Sequence, residues 1–210
     1  MQRILLASGN AKKLAELRDL TADLPVELLG PEALPDGLPE VDEDQDNFLD
    51  NAIKKARSAA QAAAAQLGPG IWALADDSGL CVDALDGAPG VYSARYAGVE
   101  GENRDASNNA KLLTALDGVA EEDRGASFWC VIAVAREEET LFAVEGSVSG
   151  RILTAADGVD GFGYDPLFYH EPSGSSFARL SSEEKAAVSH RGAAVARLRN
   201  ILTSVLPATR

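Results

Sequence analysis

Histidine, cysteine and positive charge are what this sequence has least of. Its 210 residues include two histidines, His170 and His190, and two cysteines, Cys81 and Cys130. Neither type falls at a spacing that builds a zinc site, so any metal held here should be bound through oxygen. Two thiols make no disulfide framework, and both are expected to stay reduced and inert. Lysine and arginine number 19 against 33 acids, a net charge of −14, which opposes binding to a long nucleic acid. A small anionic ligand fits that balance if lysines gather locally or a metal screens the charge. No apolar run approaches the roughly 20 residues that span a bilayer, and the N-terminus lacks a signal-peptide pattern. The expectation is a soluble cytoplasmic protein with no membrane partner and no nucleic-acid polymer as partner.

What is present is a core-forming chain. At 46% hydrophobic residues, it has enough apolar material for one sizeable domain or two closely joined lobes. Arg3 to Ala7 reads as a short buried strand, followed by a helix with Leu14, Leu17, Leu20 and Leu24 at roughly helical spacing. After a Pro- and Gly-rich loop and the acidic run Glu40–Asp44, Asp46 or Asn47 can cap a helix that continues to Leu67. Its core-facing positions are Phe48, Ala52, Ala56, Ala59, Ala63 and Leu67, with Asn51 and Lys55 sharing another face. Asn103 to Leu116 is expected to be helical, and Ala126 to Ala135 with Leu141 to Val148 an antiparallel strand pair. Ser181 and Glu184 form a capping box, and Ser189 can cap a final helix with Val195, Leu198, Leu202 and Val205 as its apolar stripe.

Three stretches carry chemistry. Leu74 to Gly98 reads LADDSGLCVDALDGAPGVYSARYAG. A strand through Ala75 should deliver Asp76 and Asp77 to a Ser-Gly turn at its end, where open α/β folds place their sites. Neighbouring side chains of an extended chain point to opposite faces, so one aspartate should face the site and the other support it. Ser8-Gly9-Asn10-Ala11-Lys12-Lys13 joins the first strand to the first helix. Asn10 is a good N-cap, Gly9 lets the backbone approach a ligand, and a helix start with free N–H groups binds anions. Lysines in that first turn run against the macrodipole and call for a negative partner. Asp157 to Pro166 is a glycine-rich loop whose glycines let Phe162 and Tyr164 reach into a pocket.

In order, Ser8 to Lys13 with Glu16, the Asn51–Lys55 segment, ADDSGL with GAPGVYSARYAG, GFGYDP, and Lys185 with Ser189-His190-Arg191 resemble the inosine triphosphate pyrophosphatase (Ham1-like) family. The match spans nearly the whole chain. The resemblance implies a single nucleoside triphosphate pyrophosphatase domain over residues 1–210. The expected fold class is mixed α/β, with a long twisted central sheet flanked by helices and two lobes enclosing an active-site cleft, and the assembly a homodimer. It implies Mg²⁺-dependent hydrolysis of non-standard purine nucleoside triphosphates (ITP, dITP, XTP) to the monophosphate and pyrophosphate. Carried over by residue, Asp77 is the catalytic, metal-linked carboxylate, Ser78 contacts substrate and Asp76 supports. The second metal acid is Glu43, with Asp42 and Glu40 in contention. Ser8, Gly9, Asn10, Ala11, Lys12, Lys13 and Lys55 serve the triphosphate. Phe162, Gly163, Tyr164 and Asp165 lie against base and ribose, with Lys185, His190 and Arg191 as the remaining contacts. His190 and Arg191 are candidate donors to the 6-oxo group that separates hypoxanthine and xanthine from adenine. The rivals are a Maf-like pyrophosphatase of pyrimidine or modified nucleotides, against which Asn10 and Lys13 argue, and a catalytically silent nucleotide-binding protein, which could lose Asp77 or Lys13.

Overall fold

The computed structural model describes residues 1–24 and 26–206. Strands β1 (Gln2–Leu6), β2 (Val26–Leu29), β3 (Trp72–Val82), β4 (Gly125–Arg136), β5 (Glu139–Ile152), β6 (Phe168–His170) and β7 (Ser175–Ser176) form one sheet, in the order β2-β1-β3-β4-β5-β6-β7. β1 runs parallel to β2 and to β3, with Ile4, Leu5 and Leu6 opposite Trp72, Ala73 and Leu74. The β5–β6 and β6–β7 pairs are antiparallel. Only Glu137 and Glu138 separate β4 from its neighbour β5, a connection short enough to require an antiparallel pair. The helices are α1 (Ala11–Thr21), α2 (Phe48–Leu67), α3 (Arg104–Ala115), α4 (Ser182–Val188) and α5 (His190–Val205). The expected mixed α/β class is present, and among the described residues no helix is long and apolar enough to cross a membrane.

Helix starts fall where short polar side chains can satisfy the first backbone N–H groups. Asn10 does this for α1 and Asn47 for α2, where its side chain accepts from Asp50 N at 2.9 Å. Ser181 and Glu184 form the reciprocal capping box of α4. Ser189 separates α4 from α5, and its own N–H closes α4 on Lys185 O at 2.8 Å.

The chain divides into two compact units. The first comprises Met1–Asp77, Cys130–Gly146 and the chain from Arg191 onward; the second comprises Ser78–Trp129 and Ser147–His190. In the first unit the strand side chains sort by alternation into two cores. Ile4, Leu6, Leu74, Cys130 and Ile132 pack with Leu17 of α1 and Val195, Leu198 and Leu202 of α5. Leu5, Ala73, Ala75, Val131 and Ala133 pack with Ala52, Ala56, Ala59 and Ala63 of α2. Val205, the last residue of the expected α5 stripe, is exposed. The second unit has its own core of Leu80, Val82, Leu112, Leu116, Phe128, Ile152, Phe168 and Phe177.

One expectation about local structure is overturned. Asp76–Gly79 is not a turn: β3 continues without interruption from Trp72 to Val82. Asp, Ser and Gly favour turns when nothing else decides, but here β4 lies alongside β3 and supplies a ladder that overrides local propensity. β1 stops pairing at Leu74, so the two aspartates project just where that side of the sheet is left open.

Candidate active site

Alternation along β3 gives Asp76 and Asp77 different neighbours. Asp76 follows Leu74 onto the α1/α5 face, where its Oδ2 lies 3.4 Å from Lys13 Nζ and 3.1 Å from Arg191 Nη2. Arg191 also pairs with Glu16 of α1 through Nη1. Burial acts against ionising Asp76, but the charges of Lys13, Arg191 and Lys55 outweigh it and hold the pKa below the usual aspartate value. This acid is charged at neutral pH and committed to its cations.

Asp77 follows Ala75 onto the α2 face. Its Oδ1 accepts from Lys55 Nζ at 2.7 Å, and the same ammonium donates to Glu43 Oε1 at 2.7 Å. The other oxygen, Asp77 Oδ2, is buried with no hydrogen-bond partner. Burial is the main cause that raises the Asp77 pKa; Lys55 opposes it and the Glu43 carboxylate adds to it. Lys55 is desolvated too, yet Asp77, Asp76 and Glu43 raise its pKa. Two acids sharing one lysine, one of them with an oxygen left over, form a centre with unspent affinity for a cation or a proton. Of the three contending acids, only Glu43 is tied to this centre; Asp42 presents its backbone oxygen to Lys54 Nζ at 2.9 Å. Among the described residues no three His, Cys, Asp or Glu side chains gather as a metal site.

At the end of β1, Asn10 Oδ1 accepts from Lys12 N at 3.0 Å and Lys13 N at 3.3 Å, and Ser8 Oγ accepts from Asn10 N at 3.3 Å. The expected free N–H groups at residues 12 and 13 are therefore occupied by the cap, and positive charge at this turn comes from the lysine ammonium groups. A Cβ at Gly9 would meet nothing within 4 Å, so the backbone there faces open space. Ala11 opens the helix beside it.

In the second unit, Asp165 organises the glycine-rich loop. Its Oδ2 accepts from Phe162 N at 2.7 Å and from Lys185 Nζ at 2.8 Å. The Lys185 ammonium lies 4.5 Å from the centre of the Phe162 ring, a cation–π distance. Gly161 has φ +75, and a Cβ there would stand 2.3 Å from Asp165 Oδ2, so only glycine fits. Tyr164, expected to reach into a pocket, has its ring in the core, and its hydroxyl donates to Ser93 O at 2.9 Å. His190 is buried and stacked on Phe128 at 4.8 Å between ring centres.

A model of the Ham1 family matches residues 4–201. The chain belongs to the Ham1 family. A dITP/XTP pyrophosphatase of Geobacter sulfurreducens is 47% identical over 202 residues, covering 96% of this chain and 97% of that protein. One from Syntrophobacter fumaroxidans is 53% identical over 137 residues, 65% of this chain and 57% of that protein, so the chain spans little more than half the length of that relative. The Ham1 protein of Coxiella burnetii has the same fold, with a TM-score of 0.84 at 41% identity over 98% of this chain and 100% of that one.

Within this Ham1 fold, the structure brings together Lys13, Asp76 and Arg191 in one cluster and Lys55, Asp77 and Glu43 in another, both in the first unit. Phe162, Gly163, Tyr164, Asp165 and Lys185 are gathered in the second. Ser78 follows Asp77 on β3 and is half-buried. Both thiols have pKa values raised by burial, that of Cys130 to about 12, as inert thiols should. Sequence reasoning missed the α3 side chains Asp105, Asn108 and Asn109. The available signal was a pair of weak helix formers in mid-helix, Asn108 on the buried face.

Proposed function

We propose that this chain hydrolyses non-standard purine nucleoside triphosphates, dITP, XTP and ITP, to the nucleoside monophosphate and pyrophosphate, and so clears them from the nucleotide pool. The observation that carries this reading is the Lys55 ammonium shared by Asp77 and Glu43, with Asp77 Oδ2 left unpartnered beside it. Relatives named dITP/XTP pyrophosphatase at 43–47% identity over almost the full chain support the substrate class.

Cleavage between the α and β phosphorus atoms needs a water attacking in line, an acceptor for its proton and a stabilised leaving group. Asp77 Oδ1, once Lys55 has turned from it to the phosphates, would take the proton. Lys13, Lys12 and the open backbone at Ser8 and Gly9 would hold the leaving phosphates, with Asn10 and Ala11 shaping that turn. Asp76, locked between Lys13 and Arg191, fixes the position of the Lys13 ammonium. Lys55 would meet the phosphate charge once released from the carboxylates.

Oxygen donors of this kind fit a divalent cation, and Mg²⁺ is the ion proposed, held by Asp77 and Glu43. Bound there, it would neutralise phosphate charge and lower the pKa of water. The buried, unpartnered Asp77 oxygen is the feature that suits it.

For the base end, Phe162 would stack on the purine, with Gly163 and Asp165 shaping the loop and Lys185 and His190 supplying polar contacts. Ser78 is assigned to substrate as well. Arg191 is given a supporting role, because its guanidinium is buried and paired with Asp76 and Glu16. A cytoplasmic homodimer, a single functional domain and a cleft for the nucleotide are proposed on the family resemblance.

The test is to incubate the protein with Mg²⁺ and dITP, XTP, ITP, dGTP or dATP, and to quantify monophosphate, pyrophosphate and orthophosphate. Pyrophosphate released in equal amount to monophosphate, fastest with dITP and XTP, is the expected result. Orthophosphate as the direct product would overturn the reaction type.

A further inference from the structure

We propose that helix α3 is the frame that holds the Phe162 loop, with Asp105 and Asn109 as positioning residues for recognition of the base. The proposal rests on the reading that Phe162 faces that base. Asp105 and Asn109 stand four apart and so lie one above the other on the same face of α3. Both reach the same residue of the loop. Gly163 N donates to Asp105 Oδ2 at 2.9 Å, and Asn109 Nδ2 donates to Gly163 O at 2.9 Å.

Gripping the N–H and the C=O of one residue fixes the peptide planes on both sides of it, and one of those planes carries Phe162. Gly163 takes φ +61, a conformation that glycine adopts without strain. The grip therefore sets the direction of a chain that is otherwise free to swing.

The neighbouring residue holds a second loop. Asn108, turned about 100° around the helix axis, donates through Nδ2 to Ser93 O at 3.2 Å and Ala94 O at 3.3 Å. Its Oδ1 accepts from Ala97 N at 2.7 Å. Tyr164, next to Gly163, closes the circuit on Ser93 O. One helix thus fixes the GFGYDP loop and the YSARYAG segment against each other.

Helix stability alone gives no reason for this pattern. Asparagine is a poor helix former, and Asn109 Oδ1 is buried with no hydrogen-bond partner. An amide kept there despite an unpaired oxygen is kept for what its nitrogen holds.

The experiment compares Asp105→Ala, Asn109→Leu and the conservative Asp105→Asn with Phe162→Ala. It reads kcat and KM for dITP and dATP, the Ki of inorganic tripolyphosphate, and Tm. Asp105→Ala and Asn109→Leu are expected to raise KM for dITP by about tenfold or more and narrow the dITP/dATP preference, with kcat changed by less than about threefold. The Ki of tripolyphosphate, which reports the phosphate-handling groups alone, should be unchanged, and Asp105→Asn, which keeps an acceptor oxygen, should recover most of the loss. If Asn109→Leu does not fold, Asp105→Ala carries the test. Unchanged KM and preference in the α3 variants, with Phe162→Ala defective, would overturn the frame and leave the loop's role intact. An unchanged Phe162→Ala would instead overturn the reading of the loop. Parallel losses in Tm and in tripolyphosphate binding would reduce α3 to a structural helix and also overturn the proposal.

Discussion

Replacing Arg191 by methionine separates a structural arginine from one that reads the base. The side chain is 1% exposed and pairs with Asp76 Oδ2 and Glu16 Oε2. Methionine fills much of the volume but leaves both carboxylates without their shared guanidinium, and Asp76 is buried. Breaking a buried pair in this way costs about 3–5 kcal/mol. For a chain of this size about 1 kcal/mol corresponds to roughly 2–4 °C in Tm, so a fall of about 6–20 °C is expected. The measurement is urea and thermal unfolding without nucleotide, so that ligand binding does not mask the change. Adding Asp76→Asn to Arg191→Met removes the buried charge that has lost its guanidinium. The double variant should then be less unstable than the two single losses added together, with a coupling of about 0.5–3 kcal/mol. A loss below about 1 kcal/mol with no coupling, together with a changed purine preference, would refute the reasoning and return Arg191 to the base.

Asp77→Asn should abolish pyrophosphate release while nucleotide still binds in calorimetry, because shape is kept and the proton acceptor is lost; turnover near that of the wild type would contradict the assignment. Lys13→Ala should weaken triphosphate affinity by about 1.5–3 kcal/mol, the worth of a charge-assisted contact, seen as a higher Kd for a non-hydrolysable analogue. The Asp76 pKa is depressed in the folded state, so its contribution to stability is complete above the unfolded value of 3.8 and is lost only as pH falls through the lower folded one. The Tm gap between wild type and Asp76→Asn should therefore stay constant from pH 7 to about 4 and shrink below that; a gap that already closes between pH 7 and 5 would count against it. Asn10→Ala, which frees the N–H groups of Lys12 and Lys13, should cost about 1 kcal/mol in a urea melt.

What could be read from the sequence was whatever a local pattern dictates. Asn10, Asn47 and the Ser181–Glu184 pair announced helix starts, and the alanine stripe of α2 announced its buried face. The unequal duties of Asp76 and Asp77 followed from alternation alone. The course of the chain through them did not, because a ladder with β4 depends on a strand that begins only at Gly125 rather than on the turn residues themselves. The same holds for Lys55, whose place between Glu43 and Asp77 joins three segments, and for Arg191, which was expected to donate to the base and is buried against Asp76 and Glu16. Asp105 and Asn109 carry no signature until the loop they hold is folded against them.

The uninterrupted course of β3 makes the site sensitive to length more than to composition. In a strand, each residue inserted or removed reverses the face of everything after it. Deleting one residue between Trp72 and Ala75 would turn the first aspartate toward Lys55 and the second toward Arg191, exchanging the committed acid for the available one with every charged side chain of both clusters still present. Chain-length variation in this segment should be tolerated only in steps of two.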